Sequence, residues 1–245
     1  MPTSVVDSPT SRYALRHEIR RLRRSLEQPQ REACASALAR HLMNFLRLRR
    51  AERIGCYLAQ DGELDLAPLM NRLRAVGKQL YLPVLRRPRL WFMPLDAQTT
   101  LVRNRFGILE PQAPANARCA PQALDVVLAP LVAFDNRGRR LGMGGGFYDR
   151  TFAYRLTRRS WHRPCLIGIA YDLQRVSALS TRRWDVPLDG IATESGLRFF
   201  PTRGDDGPTD GYGISGTKSA NPTNRTYKDI GRLPISFRLR KGASI

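Results

Sequence analysis

Apolar residues recur at helical spacing near the start of the chain and in short continuous runs after about residue 50. Apolar side chains at intervals of three or four residues predict an amphipathic helix over residues 12–27, with arginines along the edge of its buried face. A second helix is expected to place Pro29 in its first turn and to run to Leu46. The apolar positions are Leu15, Ile19, Leu22 and Leu26 in the first helix and Ala37, Leu38, Leu42 and Phe45 in the second, and the edge arginines are Arg12, Arg16, Arg20 and Arg23.

The later apolar runs have the length and composition of buried strands and alternate with helical segments. Helices are expected from Leu66 to Val76, stopped by Gly77, and from Phe147 to Thr157. This alternation favours an α/β fold, a three-layer sandwich in which helices cover both faces of a mostly parallel central sheet. The predicted strands are Arg53–Ala59, Gln79–Val84, Leu90–Leu95 (an edge strand, because prolines flank it), Leu124–Ala129 and Pro164–Tyr171.

The pattern indicates one domain, residues 12–200, and a chain of 245 residues is long enough to bury one substantial core. Residues 1–11 are expected to form a flexible N-terminus. Residues 201–245 are rich in Gly, Pro, Ser, Thr and Asn and lack periodicity, which predicts a disordered tail. Within that tail, Ile235, Phe237 and Leu239 alternate with polar residues as in a short strand.

Composition adds information about location. The N-terminus, MPTSVVDSPT, lacks the basic start and apolar stretch of a secretory signal, and no apolar run reaches the length of a membrane span. The arginine-rich, acid-poor N-terminal region is compatible with an organelle transit peptide, but the regular helical pattern there favours folded structure. Four widely spaced cysteines do not resemble a disulfide framework. We therefore expect a cytoplasmic protein without a membrane partner.

The formal net charge of +20 is the least ordinary bulk property. This charge is compatible with binding to nucleic acid, to an anionic membrane surface or to polyanionic small substrates. It is equally compatible with an arginine-rich surface that has no specific partner. The three histidines and four cysteines show no zinc-site spacing. Any metal is therefore expected to be a hard ion held by carboxylates and phosphate.

Residues 130–150, PLVAFDNRGRRLGMGGGFYDR, carry the clearest candidate chemistry. Leu131–Phe134 and Arg139–Met143 are expected to pair as a hairpin across the turn residues 135–138. The glycines that follow allow successive backbone N–H groups to face one concavity, which suits a phosphate. The start of a helix and two arginines would add positive potential. A flexible structural turn is the alternative, because the pattern is neither the Rossmann nor the P-loop motif.

The stretch Arg140–Arg150, RLGMGGGFYDR, closely resembles the signature of the 5-formyltetrahydrofolate cyclo-ligase family. Further elements of that family recur in the same order, so the resemblance covers about residues 12–200. They are Arg12–Arg16 (RYALR), Leu58 with Gln60–Asp65 (QDGELD), Lys78–Val84 (KQLYLPV), Phe106–Pro111 (FGILEP), Asp125–Asp135 (DVVLAPLVAFD) and Trp184–Asp189 (WDVPLD).

The resemblance implies ATP-dependent cyclisation of 5-formyltetrahydrofolate to 5,10-methenyltetrahydrofolate, with release of ADP and phosphate through a phosphorylated formyl group. It implies ATP as co-substrate and Mg²⁺ as cofactor. The expected small-molecule partners are ATP and 5-formyltetrahydrofolate, with or without a polyglutamate tail; we expect no specific nucleic acid and a monomer. By position, the implied catalytic residues are Arg140, Gly144, Gly145 and Tyr148, and the metal ligands are Asp149 and Asp189. The implied ATP contacts are Arg12, Tyr13, Ala14, Leu15, Arg16, Arg140, Leu141, Gly142, Met143, Gly144, Gly145, Gly146, Phe147 and Tyr148, and the folate contacts are Leu58, Glu63, Met143, Gly144, Gly145, Gly146 and Phe147.

Each of these roles has a structural alternative. Arg12 and Arg16 fit the solvated edge of an amphipathic helix, and Arg12 stands where many family members have lysine. Leu58 fits a core position, the aromatic pair Phe147–Tyr148 fits packing, Glu63 fits an exposed turn, and Asp189 fits a turn after Pro187.

Two rival functions also remain open on the sequence alone. A nucleic-acid-binding module is favoured by the pI of 11.1 and the arginine-rich first helix, although no known binding motif is recognised. A sugar-phosphate or acyl-CoA enzyme would use the glycines for another phosphate but would leave the GELD and WDVPLD elements unexplained.

Overall fold

The computed structural model describes residues 9–49, 51–157 and 163–200, which contain α-helices and two long successions of β-strands. The α-helices are α1 (Pro9–Ser25), α2 (Gln28–Arg49), α3 (Ala67–Ala75), α4 (Phe147–Phe152) and α5 (Tyr154–Thr157). The strands are β1 (Arg53–Gly55), β2 (Gln79–Arg86), β3 (Arg89–Pro94), β4 (Leu101–Arg103), β5 (Leu109–Pro111), β6 (Val126–Pro130), β7 (Ala133–Phe134), β8 (Arg140–Leu141), β9 (Cys165–Ile169), β10 (Gly190–Thr193) and β11 (Gly196–Phe199).

Seven strands form one sheet in the order β11-β10-β9-β6-β1-β2-β3. The five central strands are parallel to one another, and an antiparallel strand closes each edge, β3 on one side and β11 on the other. This arrangement confirms the predicted α/β fold with a mostly parallel sheet, and β3 lies at an edge as its flanking prolines predict.

Each face of the sheet is covered by a separate apolar core. Side chains alternate along β6, so that Val126 and Leu128 pack into one core and Val127 into the other. Helices α2 and α3 cover the first core. Phe152 of α4 and several loop residues fill the second. The sheet therefore forms the middle layer of the predicted sandwich.

Element boundaries differ from the predicted ones where local sequence signals are weak. Helix α1 begins at Pro9, so residues 9–11 are helical rather than part of a flexible segment. The helix expected over residues 147–157 is divided at Ala153 into two short helices. The predicted hairpin forms, but only β7 and β8 pair in it. Strands β4, β5, β10 and β11 were not predicted. Residues 1–8 and the proposed tail, 201–245, lie outside the described residues.

The order of the strands determines where a ligand site can form. The chain enters the sheet at β1, extends on one side through β2 and β3, and then returns to place β6 on the other side of β1. Loops that follow two such strands diverge, which leaves a crevice at the carboxyl ends of a parallel sheet. The segments after β1 and β6 are therefore the expected walls of a site.

None of the helices in the described ranges combines the length and apolar character needed to cross a bilayer.

Candidate active site

A cavity of about 530 Å³ opens at this crevice between β1 and β6. Its walls are formed by α1, the segment after β1, parts of β2 and β3, the β4–β5 hairpin, Pro130, the segment Arg140–Asp149, and a turn at Arg182–Asp185. Its volume falls within the range usual for small-molecule sites. Cationic and apolar side chains come from different parts of the fold, so the cavity suits a ligand with both anionic and planar apolar groups.

Four guanidinium groups line the cavity, those of Arg12, Arg16, Arg140 and Arg182. The two on α1 are oriented by main-chain carbonyls: Arg12 Nη2 donates to Ser180 O at 2.5 Å, and Arg16 Nε donates to Gly142 O at 2.8 Å. Burial lowers the pKa of Arg16, and the charges of Arg12 and Arg182 lower it further. Guanidiniums placed this close repel one another, so an anion between them would be stabilised.

Arg140 is joined to the helix that follows the glycines. Its Nη1 donates to Val186 O, and its Nη2 donates to Asp149 Oδ1 at 2.5 Å. The same Oδ1 accepts the Val186 amide at 3.1 Å. Only 7% of the Arg140 side chain is exposed, so its position is set by these contacts rather than by solvent.

The glycine segment, Gly142–Gly146, has the conformation that its composition predicts. Gly144 has φ +103° and Gly146 has φ +63°, both in the left-handed region that favours glycine. Main-chain amides from Met143 to Gly146 donate no hydrogen bond to any residue in the described ranges. These amides are therefore available to an anionic ligand. Because α4 is only six residues long, we attribute the positive potential mainly to the arginines.

Arg23, at the edge of the predicted stripe, is completely buried. Its Nη2 donates to the carbonyl of Asp61 at 3.0 Å and to Asp61 Oδ2 at 3.1 Å, and its Nη1 donates to Leu131 O at 3.2 Å. Arg20 and Arg24 also bind the Asp61 carboxylate. The Gln60–Glu63 loop of the cavity is thus fastened to α1.

The same loop holds Glu63 in a poorly hydrated position. Desolvation raises the pKa of Glu63 to about 7, with a smaller upward contribution from the charge of Asp61. A hydrogen bond from the Gln60 amide to Glu63 Oε2 (3.1 Å) and the charge of Arg23 act in the opposite direction. Burial also raises the pKa of the nearby Tyr148 phenol, and the charge of Glu63 raises it further. The cavity is therefore faced by a carboxyl whose pKa lies near neutrality and by a phenol that keeps its proton at neutral pH.

The opposite wall of the cavity is apolar and rests on β2, β3 and the β4–β5 hairpin. Phe106, 52% exposed, lies at the tip of this hairpin. The tip is held by Asn104, whose Oδ1 accepts the Phe106 amide at 2.8 Å and whose Nδ2 donates to buried Glu110 at 2.8 Å. Glu110 Oε1 also accepts the Leu85 amide of β2 at 2.7 Å. The aromatic side chain is therefore displayed by a well-fastened turn. The other members of this wall are Leu82, Pro83, Leu85, Leu90, Ile108 and Leu109.

Most residues predicted from the sequence meet in this cavity. The lining includes Arg12, Arg16, Leu58, Glu63, Arg140, Leu141, Gly142, Met143, Gly144, Gly145, Gly146, Phe147, Tyr148 and Asp149. Phe147, Tyr148 and Leu58 also pack against the two cores, so their structural and site roles coexist.

Four predicted residues do not line the cavity: Tyr13, Ala14 and Leu15 of α1, and Asp189. Tyr13 and Ala14 face solvent on α1, and Leu15 packs against the small cluster of Ala133, Leu141 and Leu179. Residues 12 and 16 share one helix face because they are four apart, whereas the three residues between them point in other directions. Of the residues from Arg12 to Arg16, only Arg12 and Arg16 therefore line the cavity.

Asp189, the second predicted metal ligand, is outside the cavity lining. Arg155 Nη2 donates to both of its carboxylate oxygens, at 2.6 and 2.8 Å, and the Leu166 amide donates to Oδ2 at 2.6 Å. An acidic side chain paired in this way holds a loop against the sheet. The structure therefore places the Asp189 carboxylate on Arg155 and the Leu166 amide, outside the cavity lining.

Asp149 fits part of a Mg²⁺ site. Its Oδ2 accepts no hydrogen bond from the residues of the described ranges, while Oδ1 is held by Arg140 and Val186. No group of three potential ligands among His, Cys, Asp and Glu occurs within those ranges. Mg²⁺ is often held by one or two carboxylates together with substrate phosphates and water. The one available carboxylate oxygen of Asp149 matches that mode. It would not by itself form a Mg²⁺ site whose ligands all come from the protein.

Several lining residues were not assigned a role from the sequence. Phe106 and Trp184 belong to recognised family elements, so their recurrence was an available signal, but nothing local indicates that they reach the same cavity. For Arg182 and Asp185 the available signal is their position in the sequence next to Trp184. The contact between the Gln60–Glu63 loop and Arg23 could not be read from spacing, because the partners are 38 residues apart.

The chain matches the model of the 5-formyltetrahydrofolate cyclo-ligase family over residues 9–194. It is 38% identical over 185 residues to 5-formyltetrahydrofolate cyclo-ligase of Haemophilus influenzae, a match that covers 74% of this chain and 96% of the relative. The Escherichia coli 5-formyltetrahydrofolate cyclo-ligase is 38% identical over 182 residues, which cover 72% of this chain and 97% of the relative.

Solved structures give the same result at the level of the fold. The Aquifex aeolicus 5,10-methenyltetrahydrofolate synthetase superposes with a TM-score of 0.66 at 26% identity and covers 83% of this chain and 98% of its own. A Mycoplasma pneumoniae 5,10-methenyltetrahydrofolate synthetase superposes with a TM-score of 0.59 at 25% identity, covering 75% of this chain and 98% of its own.

Replacement of the buried arginine tests how the Gln60–Glu63 loop is held. We expect Arg23→Met to lower the free energy of unfolding by about 2 kcal/mol or more, because hydrogen bonds to charged groups contribute about 1.5–3 kcal/mol each. Arg24→Met is the matched control, since it also removes one partner of Asp61 but from an exposed position, with an expected cost below about 1 kcal/mol. Urea denaturation measures both, and equal losses would contradict a special role for burial.

The raised pKa of Glu63 predicts a pH dependence of stability. In the unfolded chain this carboxyl loses its proton near pH 4.5, whereas in the folded chain it keeps the proton to about pH 7. The folded state therefore binds more protons in this window, and its stability falls as pH rises from about 4.5 to 7. We expect Glu63→Gln to lack that part of the fall and to gain stability relative to wild type as the pH increases. Thermal denaturation at pH 5 and pH 8 measures the difference, and a gain that is the same at both pH values would contradict the assignment.

Proposed function

Because the chain belongs to the 5-formyltetrahydrofolate cyclo-ligase family, we propose that it converts 5-formyltetrahydrofolate to 5,10-methenyltetrahydrofolate in an ATP-dependent reaction at the cavity between β1 and β6. The observation that carries this proposal is the convergence of the glycine segment with four guanidiniums, since the main-chain amides and the cations together suit a triphosphate. The apolar wall beside them suits the planar rings of a folate.

The proposed reaction solves a leaving-group problem. An amide-like formyl oxygen is a poor leaving group, whereas phosphate is a good one. In the first step the formyl oxygen attacks the γ-phosphorus of ATP, and ADP departs with the electron pair of the broken P–O bond. In the second step N10 attacks the formyl carbon, the C–O bond to phosphate breaks, and the N10 proton is released. The products are the methenyl form, ADP and inorganic phosphate.

Such a reaction requires positioning and charge neutralisation rather than a nucleophilic side chain. In this proposal Arg12, Arg16 and the amides of the glycine segment hold the triphosphate. Arg140, fixed by Asp149 and Val186, neutralises charge that develops on the transferred phosphoryl group. Tyr148, with its raised pKa, contributes a phenolic O–H donor near the same atoms.

The folate is assigned to the other end of the cavity. Leu58 and Phe147 supply apolar contact, and Glu63 supplies a carboxyl whose protonation lets it donate as well as accept a hydrogen bond. The Met143 side chain, 52% exposed, lies at the mouth between the two ends. All these groups come from one chain, so the proposed chemistry requires no second subunit.

For Mg²⁺, Asp149 Oδ2 is the proposed protein ligand, with the remaining ligands supplied by phosphate oxygens and water. When bound, the ion would offset negative charge on the transferred phosphate.

The direct test of the proposed function is an assay of cyclisation. Purified protein with 5-formyltetrahydrofolate and Mg-ATP is expected to produce the near-ultraviolet absorbance of the methenyl product together with one equivalent each of ADP and phosphate. Omission of ATP should abolish the signal. Folded protein that binds both substrates but forms no product would refute the catalytic proposal.

The two predicted metal ligands provide a matched pair for the Mg²⁺ proposal. Asp149→Asn should raise the magnesium concentration needed for half-maximal turnover by about tenfold or more, because a neutral amide is a weaker ligand for a hard cation. Asp189→Asn should weaken the contact with Arg155 and lower stability, but leave the magnesium requirement unchanged. A magnesium titration of both variants measures this. An unchanged requirement in Asp149→Asn would remove that residue from the site.

A further inference from the structure

The turn Arg182–Asp185 is closed by two reciprocal hydrogen bonds. The Arg182 amide donates to Asp185 Oδ2 at 2.9 Å, and the Asp185 amide donates to Arg182 O at 3.0 Å. Both bonds lie inside the turn, so they restrict its main chain independently of any ligand.

The chain just before this turn is fastened to the site at two points. Arg139 Nη1 donates to Leu179 O at 2.6 Å, and the Leu179 amide donates to Asp135 Oδ2 at 3.0 Å. Arg12, itself a cavity residue, binds the Ser180 carbonyl and lies 4.0 Å from the Asp185 carboxylate. The turn is therefore fixed relative to the cationic side of the cavity.

The Arg182 guanidinium packs with one face on the Trp184 ring, and its N–H donors remain exposed. The guanidinium lies over the Trp184 ring, 5.6 Å from the centroid, and the ring itself is 51% exposed. Within the described part of the chain the guanidinium donates no hydrogen bond and forms no ion pair. A stacked guanidinium keeps the edge that carries its N–H groups available for a planar or tetrahedral anion.

Arg182 also shares the electrostatic environment of the predicted nucleotide-binding arginines. Its charge, with that of Arg12, lowers the pKa of Arg16, which places the three guanidiniums near one another in one cavity. Asp185 is the acidic residue closest to this group along the chain, and its Oδ2 already accepts the Arg182 amide. Three cations with so little compensation suit a ligand that carries several adjacent negative charges.

We infer that Arg182, stacked on Trp184, is a further polyphosphate-binding residue that completes a three-arginine clamp with Arg12 and Arg16. The identity of the polyphosphate as that of ATP rests on the proposed function. The competing occupant is the glutamate tail of the folate, but its carboxylates are separated by several bonds, whereas the charges of a triphosphate lie on directly linked groups, as a cluster of three guanidiniums requires. Arg182 thereby acts on nucleotide affinity and leaves binding of the folate unaffected.

Inorganic tripolyphosphate, with isothermal titration calorimetry, tests this inference on the full chain without requiring turnover. Arg182→Gln is expected to weaken tripolyphosphate binding about tenfold, the loss that corresponds to one charge-assisted contact. Arg183→Gln is the matched control: it removes the same charge from the adjacent exposed residue, which does not line the cavity, and is expected to weaken binding less than about twofold. Both residues are exposed, and circular dichroism confirms that the variants fold.

Three outcomes would overturn the inference. The first is no measurable tripolyphosphate binding by the wild type, the second is an equal effect of both substitutions, and the third is a loss of 5-formyltetrahydrofolate binding in Arg182→Gln with tripolyphosphate binding intact. A tenfold higher KM for ATP with an unchanged KM for folate would support it. If the wild type binds tripolyphosphate through Arg182 but forms no methenyl product, the inference stands and the proposed function fails. If Arg182→Gln cyclises the substrate normally with an unchanged KM for ATP, the proposed function stands and the inference about Arg182 fails.

Discussion

The position of the cavity depends on how the buried charge of Arg23 is neutralised. Its guanidinium contacts Asp61, which follows β1, and the carbonyl of Leu131, which follows β6. One side chain thus joins the carboxyl ends of β1 and β6, the two neighbouring parallel strands at which the order of strand addition to the sheet reverses. A charge removed from water is tolerated only with good partners, so these two segments have little freedom to move apart. The crevice that open α/β sheets form at such a point becomes a defined site here.

Other arginines of helix α1 likewise join the helix to separate segments of the cavity wall. Arg12, Arg16 and Arg23 contact three different segments of the chain: Ser180 before the Arg182 turn, Gly142 in the glycine segment, and Asp61 after β1. These arginines are spaced by four and seven residues, which brings them to one side of a helix. Their partners are main-chain carbonyls in most cases, so the charges are oriented without being neutralised. Asp61 is the exception among these partners, because its carboxylate binds three arginines of α1. The helix therefore both aligns the walls of the cavity and keeps its cationic side positive.

The fold and the glycine segment could be predicted because their signals are local. The apolar run around β6 identifies a strand buried on both faces, and the positive φ values of Gly144 and Gly146 correspond to a residue type that tolerates them. The burial of Arg23 could not be predicted, since an arginine at the edge of an amphipathic stripe normally remains solvated. Asp189 shows the opposite case: it belongs to a family element, yet Arg155, which no motif indicates, engages both of its oxygens. In both cases the tertiary partner decides the role of a charged residue.

Poor hydration links the two ends of the cavity. The desolvation that raises the pKa of Glu63 and Tyr148 also lowers the pKa of Arg16, so both acids and bases in this space report the same environment. In such an environment a given arrangement of cations and amides attracts phosphate oxygens more strongly than it would in water. The raised pKa of Glu63 has a further consequence, because the carboxyl takes up a proton more readily and, once protonated, adds no negative charge to a cavity that a polyanion would enter. A cavity whose carboxyl can take up a proton near neutral pH while its guanidiniums remain charged suits an anionic ligand beside an uncharged heterocycle, which is the arrangement that the proposed phosphorylation of a formyl oxygen requires.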